Sequence, residues 1–246
     1  MRRLYLSLWL KHLKLKFIIN KVMTFFHFPS HFVYWTQIPE HMELKKVLMP
    51  IIQNFENDIK NNKPFSACNV KSSFEYENDN VNSFLRGKKI EGTLVWKPLF
   101  QMLNEINKKD GMCPIQADNF SVSTAWYNVY SKNDFQELHD HDSCSIRDMN
   151  RIVHPCFSLI YILHDQSNTN STVFQKKESP CFPRKTVINF DTSQENTISE
   201  GTVIIFPSDL PHLVKPCLKD GRVTISYNVM ANYEDPENPV WPVPPE

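Results

Sequence analysis

Glycine is scarce in this chain, with 5 among 246 residues. Neither GxGxxG nor GxxxxGK[ST] occurs, so the glycine-rich cradles of nucleotide-binding folds have no support. None of the six cysteines (Cys68, Cys113, Cys144, Cys156, Cys181 and Cys217) forms a CxxC pair, and their spacing is irregular. That argues against a zinc ribbon and against a disulfide scaffold in a chain this long. Reduced, mostly buried thiols in a cytoplasmic compartment are expected. An excess of one charge is also missing: 27 Lys plus Arg balance 27 Asp plus Glu, so no global basic field points to nucleic acid. No transmembrane segment is expected, because the longest apolar run in the basic N-terminal stretch, LYLSLWL, is too short to span a bilayer. Aromatics are plentiful instead, with 17 Phe, 8 Tyr and 5 Trp. That composition, at this length, suits one well-packed globular domain.

Acids are absent from the start of the chain, where Glu40 is the first. Residues 1–22 carry six Lys or Arg. They read as a basic extension ahead of the domain, as a segment in weak contact with a membrane surface, or as a targeting signal. A single domain is expected over 23–234, with a helical part at 40–110 and a β core at 120–230. The proline-rich tail 235–246 (DPENPVWPVPPE) is expected to be extended.

Within the domain, Phe25–Ile38 reads as an opening strand that Pro29 confines to an edge or splits. Leu44, Leu48, Ile51, Phe55 and Ile59 form an apolar stripe that predicts a helix over Glu40–Asn62, with Pro50 as a kink or break. Lys63–Gly92 is polar and irregular, with a short helix expected near Val81–Leu85. Pro98 suits the first turn of a helix reaching Lys109, buried through Leu99, Leu103 and Ile106 and stopped at Gly111. Thereafter the pattern changes to strands: Phe120–Tyr130, Phe135–His141, Cys156–Leu163, Thr172–Gln175, Val187–Phe190, Thr202–Phe206, Leu213–Lys215 and Arg222–Met230. Helices first and short strands after predict a mainly β fold, a sandwich or barrel with helices packed outside.

The chemistry centres on WYNVYSKNDFQELHDH, Trp126–His141. His139 and His141 are two apart, so on a strand they share a face and can reach one metal ion together. His212 follows in GTVIIFPSDLPHLVKP, and Arg222 ten residues later in GRVTISYN. Two close ligands, one distant ligand and a fixed cation form the layout of a non-haem iron site that binds a dicarboxylate. Asp140 points to the opposite face of a regular strand, and Asp142 needs a bulge to swing in, as an alternative to His141.

With these segments in hand, the chain resembles the 2-oxoglutarate/Fe(II)-dependent oxygenase superfamily. Within it the chain is similar to the "putative 2OG-Fe(II) oxygenase" group of phage, marine bacterial and viral type. WYNVYSKNDFQELHDH, FSLIYIL, STVF, GTVIIFPSDLPHLVKP and GRVTISYN carry the resemblance in family order, over Ala125–Asn228. It implies a double-stranded β-helix (jelly-roll) core. It also implies Fe(II) as the metal, with 2-oxoglutarate and O2 as co-substrates, and decarboxylation to succinate coupled to hydroxylation of a substrate. His139 and His212 correspond to the first and distal metal ligands, and no catalytic residue is implied beyond the metal site. Arg222 corresponds to the anchor of the far carboxylate, and Thr224 to the hydroxyl beside it. Asn128, Tyr130 and Tyr161 are expected to line the co-substrate pocket. The chain departs from the wider HxD or HxE pattern in carrying HxH, with His141 the expected second ligand.

Ser143–Pro155, longer than in many relatives, is expected to be either a lid or a surface insertion. The substrate is a protein side chain, a small molecule or a nucleobase. Two rivals remain: a cupin-like three-histidine dioxygenase that does not use 2-oxoglutarate, and a non-enzymatic jelly-roll.

Overall fold

Strict alternation of side chains along the strands sorts this chain into layers, as a computed structural model shows. The structure describes residues 25–28, 31–58, 68–74, 80–106, 119–141, 146–148, 151–153, 155–165, 172–177 and 187–232. The basic stretch 1–22, the tail 235–246, Asp142, and the expected helix ends beyond Asp58 and Ile106 lie outside them.

In chain order the elements are β1 (Phe25–Phe28), β2 (His31–Gln37), α1 (His41–Asp58), β3 (Cys68–Asn69), β4 (Lys71–Ser72), α2 (Asn80–Leu85) and α3 (Lys88–Glu91). A π-helical segment, Gly92–Trp96, leads into α4 (Lys97–Ile106). Then come β5 (Asn119–Tyr130), β6 (Phe135–His139), β7 (Ile146–Asp148), β8 (Arg151–Val153), β9 (Pro155–His164), β10 (Thr172–Lys177), β11 (Val187–Asp191), β12 (Thr202–Pro207), β13 (His212–Val214) and β14 (Arg222–Asn232).

A seven-stranded sheet runs β1-β2-β12-β9-β14-β5-β4, and a five-stranded sheet runs β11-β10-β13-β6-β3. Pairing within both is antiparallel. Consecutive strands pass back and forth between the sheets, which is the jelly-roll arrangement. The 143–155 insertion contributes a separate hairpin, β7-β8.

The larger sheet has two buried faces. One packs on the helices: Tyr34, Tyr127, Leu159, Tyr161, Val203, Ile205, Ile225 and Tyr227 join Leu44, Leu48, Ile52, Leu94, Leu99 and Ile106 in one core. The other face meets the smaller sheet, where Trp35, Ile160, Ile162, Ile204 and Phe206 pack with Phe174 and Phe190. The helices thus cover one side of the sheet and leave the interior between the sheets to the site.

Two prolines lie inside helical segments. Helix α1 runs through Pro50 without a break. Pro50 and Lys46, whose carbonyl loses its intrahelical donor, are both on the exposed side, where water can satisfy that carbonyl. Pro98 falls in the first turn of α4, as expected, although α3 and the π segment already lead into it. There the Lys97 N–H bonds to Gly92 O, five residues back, a register slip just ahead of a proline that cannot donate.

Helix α1 is clamped to the sheet by one carboxylate. Glu200 accepts from Lys45 Nζ and from the Asp165 N–H at 2.9 Å, and its oxygens lie 3.0 Å from His41 Nε2 and 2.8 Å from His164 Nδ1. Gly201, at φ +90°, follows it; a Cβ there would sit 2.9 Å from Gln37 Oε1 and 3.0 Å from His41 Cγ, so the close approach of α1 needs glycine. Among the described residues, no helix is long and apolar enough to cross a membrane.

Candidate metal centre

His139 ends β6 and His212 begins β13, and the two are register partners in the smaller sheet. His141 lies two residues past His139, and its backbone N–H bonds to Ser208 O at 2.8 Å. That bond holds His141 in line after the strand has formally ended. One ring nitrogen from each histidine lies within 4.8 Å of the others. The ring centroids are 4.3 Å apart for His139 and His212, 5.0 Å for His141 and His212, and 5.6 Å for His139 and His141.

Each imidazole has its Nδ1 facing an acceptor. His139 Nδ1 is 2.7 Å from Glu137 O, His212 Nδ1 is 3.1 Å from Leu210 O, and His141 Nδ1 is 2.7 Å from Asn228 Oδ1. A main-chain carbonyl oxygen can only accept, so the Nδ1 of His139 and of His212 carries the proton and their Nε2 keeps its lone pair. Burial lowers the pKa of all three: His139 is lowered, His141 falls to about 4 with His139 contributing, and His212 lies well below its ordinary value. The trio therefore presents neutral nitrogen donors at neutral pH. Such a set suits iron, zinc, copper or nickel and is a poor one for magnesium or calcium.

The histidines open on a pocket that also includes Arg222, Thr224, Asn128, Tyr130, Trp126 and Ser226. Arg222 is 3 % exposed. Its guanidinium carbon lies 5.0 Å over the Tyr130 ring, and Nη2 donates to Thr172 Oγ1 at 3.2 Å. Tyr130 is in turn fixed by its hydroxyl, which donates to Gln136 Oε1 at 2.8 Å. The stack and the hydrogen bond hold the guanidinium fork in one plane. Thr224 and Asn128 are register partners on β14 and β5. The Asn128 Nδ2 lies 3.5 Å from Thr224 Oγ1, and among the described residues Asn128 Oδ1 has no partner.

Tyr161 is placed elsewhere. It points to the helix side of β9, where its hydroxyl is 2.7 Å from His41 Nδ1. Its neighbours Ile160 and Ile162 face the other sheet, so a parity of one residue separates it from the pocket. Asp140 is exposed, consistent with the opposite face. His41 and His164 meet at Glu200, and His31 meets Asp209 at 3.1 Å; none joins the three-histidine group. Six pocket residues escaped the sequence reading: Trp126, Gln136, Ile160, Thr172, Val214 and Ser226. Ser226 was detectable, because Arg222, Thr224 and Ser226 recur at every second position of one strand.

No protein-family model matches the chain, and no curated protein matches it by sequence. Solved structures do match in fold. SnoK from nogalamycin biosynthesis, a non-heme alpha-ketoglutarate-dependent carbocyclase, is 9% identical over 80% of this chain and 79% of its own, with a TM-score of 0.51. The viral collagen prolyl hydroxylase vCPH of Paramecium Bursaria Chlorella virus-1 is 12% identical over 81% and 97%, at 0.46. HygX from Streptomyces hygroscopicus, with nickel and 2-oxoglutarate bound, is 10% identical over 82% and 83%, at 0.45. At these identities the likeness is one of fold: the chain has the jelly-roll of the 2-oxoglutarate/Fe(II)-dependent oxygenase structures.

Proposed function

We propose that this chain is an Fe(II)- and 2-oxoglutarate-dependent oxygenase. The observation that carries the reading is that three histidine nitrogens and one buried arginine open on a single pocket. In this reading His139, His141 and His212 hold Fe(II) through Nε2. When bound, the iron supplies, with O2, the oxidative decarboxylation of 2-oxoglutarate to succinate that is coupled to hydroxylation of the substrate.

The chain's own groups select and orient the co-substrate. Arg222 takes the far carboxylate with its fork of donors, for which lysine is a poor substitute. Tyr130 and Thr172 keep that fork in place, and the Thr224 hydroxyl and Asn128 amide stand beside it. Three neutral imidazoles leave the charge of a dication uncompensated, which favours a dianionic co-substrate over a neutral one. Ile160 and Val214 line the same pocket and reduce the water that competes for these groups.

The test is anaerobic addition of Fe(II) and then 2-oxoglutarate to the protein. The visible metal-to-ligand charge-transfer band of a chelated 2-oxoacid is expected. Arg222→Ala is expected to keep iron but weaken 2-oxoglutarate at least ~30-fold, from the roughly 2 to 5 kcal/mol lost when a buried charge loses its partner. One observation favours a second reading, a three-histidine dioxygenase without 2-oxoglutarate: the described metal group contains no carboxylate. Iron bound with no band, and indifference to Arg222→Ala, would select it. No iron bound would overturn both.

A further inference from the structure

The three histidines are held in two different ways. His139 and His212 each give Nδ1–H to a main-chain carbonyl two residues earlier, so their tautomers follow from backbone geometry that no point substitution removes. His141 relies on side chains. Its Nδ1 is 2.7 Å from Asn228 Oδ1 and 2.7 Å from Ser158 Oγ. Ser158 Oγ is 2.9 Å from Asn228 Oδ1 and 2.9 Å from Ser208 Oγ.

All four residues are deeply buried: His141 is 5 % exposed, Ser208 2 %, and Ser158 and Asn228 0 %. Their protons can be placed consistently. Ser208 Oγ–H donates to Ser158 Oγ, Ser158 Oγ–H donates to Asn228 Oδ1, and His141 Nδ1–H donates to the same amide oxygen. Ser158 and Asn228 are register partners on β9 and β14, so two central strands fix the acceptor. Ser208 also accepts the His141 N–H through its carbonyl. Four residues before His212, it links the segment carrying one histidine to the segment carrying the other.

We infer that Asn228 and Ser158 are positioning residues for the metal centre. They lock His141 in the Nδ1–H tautomer and aim its Nε2 at the point the other two histidines face. The inference rests on the metal-binding reading. Its content is separate: with the Asn228 amide turned over, Nδ2 would donate to His141 Nδ1, the ring proton would move to Nε2, and His141 could not ligate. A carboxylate commonly plays this part for metal-bound histidines; here a neutral amide does.

Two measurements test it. Long-range ¹H–¹⁵N spectra of the metal-free protein report the His141 tautomer directly. Nδ1–H is expected, and Nε2–H would overturn the inference whatever the protein binds. Co(II) titration, followed through the intensity of its visible bands, then measures the metal site in variants. Asn228→Ala is expected to bind Co(II) on the order of 10- to 100-fold more weakly than the parent, the usual size of such outer-shell effects. Asn228→Asp, whose oxygen accepts the same two donors, is expected to bind at least as tightly as the parent.

Ile225→Val, on the opposite face of the same strand, is expected to lower the melting temperature and leave the affinity unchanged. Unchanged affinity in Asn228→Ala, or a loss in Asn228→Asp as large as in Asn228→Ala, would overturn the positioning role. If Asn228→Ala does not fold, Ser158→Ala decides in its place: a weakened site is expected, and unchanged affinity overturns. A parent protein that binds no Co(II) would overturn the metal centre itself, a result distinct from unchanged affinity.

Discussion

The two faces of β14 differ more than any two separate regions of the molecule. Val223, Ile225, Tyr227 and Val229 lie in the core shared with the helices, between 0 % and 3 % exposed. Arg222, Thr224, Ser226 and Asn228 alternate with them, between 0 % and 4 % exposed. Both faces are equally dry, so burial does not separate them. Chemistry does. Burying an apolar side chain is favourable, whereas each buried polar group costs free energy unless it finds a partner. Four consecutive inward polar residues are therefore expensive for stability, and such a row persists where the interior has other uses. The outward face of β14 holds the sheet to the helices. The inward face holds the arginine, the hydroxyls and the amide around the histidines.

If this division is right, adjacent substitutions on one strand should have unlike effects. The largest is expected at Ile225→Ala. Ile225 is fully buried, and truncating it leaves a cavity in the helix–sheet core worth ~2 to 5 kcal/mol. Chemical denaturation should show a lower midpoint at unchanged slope. The Co(II) affinity of the molecules that remain folded should match the parent, and a parallel loss of affinity would break the comparison.

A smaller effect is expected at Glu200, on the helix side. Burial raises its pKa, but Lys45, the Asp165 N–H, His41 and His164 outweigh that and hold it at about 2. A carboxylate depressed in the folded state contributes stability above its unfolded pKa of about 4.5 and loses it as pH falls towards 2. Glu200 is partly exposed, so solvent screening discounts the effect to ~1 to 2 kcal/mol at pH 7. Glu200→Gln should lose about that much at pH 7 and flatten the acid limb between pH 4.5 and 2. An unchanged acid limb would place the acid sensitivity elsewhere, with Asp209 or Asp191 the other depressed carboxylates.

The same alternation explains what could be read from the sequence. The eight expected core strands all appear, each shifted by at most two residues at either end, because apolar residues at every second position have few other ways to be buried. Pro29 was expected to confine or split the opening strand, and the structure has β1 and β2 on either side of it. Alternation fails where a strand has two buried faces. Tyr161 reads equally well on either side of β9, and only the register with β14 and β12 places it with the helices. Ser158 and Asn228 were not expected, because one buried serine and one buried asparagine carry no local signal until the fold brings them to one imidazole. The π segment before Pro98 and the two-residue strands β3 and β4 are too short to leave a period.

The smallest expected effect sharpens the comparison most. Ser226 is one residue from Ile225, is 4 % exposed and lines the pocket. Among the described residues its hydroxyl forms no side-chain hydrogen bond. Ser226→Ala removes one oxygen and leaves no protein group without a partner, so stability should change by no more than ~0.5 kcal/mol. Ser226 lines the pocket together with Trp126 and the histidines, and a ligand there is the partner left for its hydroxyl. Binding of 2-oxoglutarate or of substrate should therefore move when the melting temperature does not. A stability loss as large as that of Ile225→Ala would show that the inward row is part of the structural core, and the separation of the two faces would fail at its nearest pair.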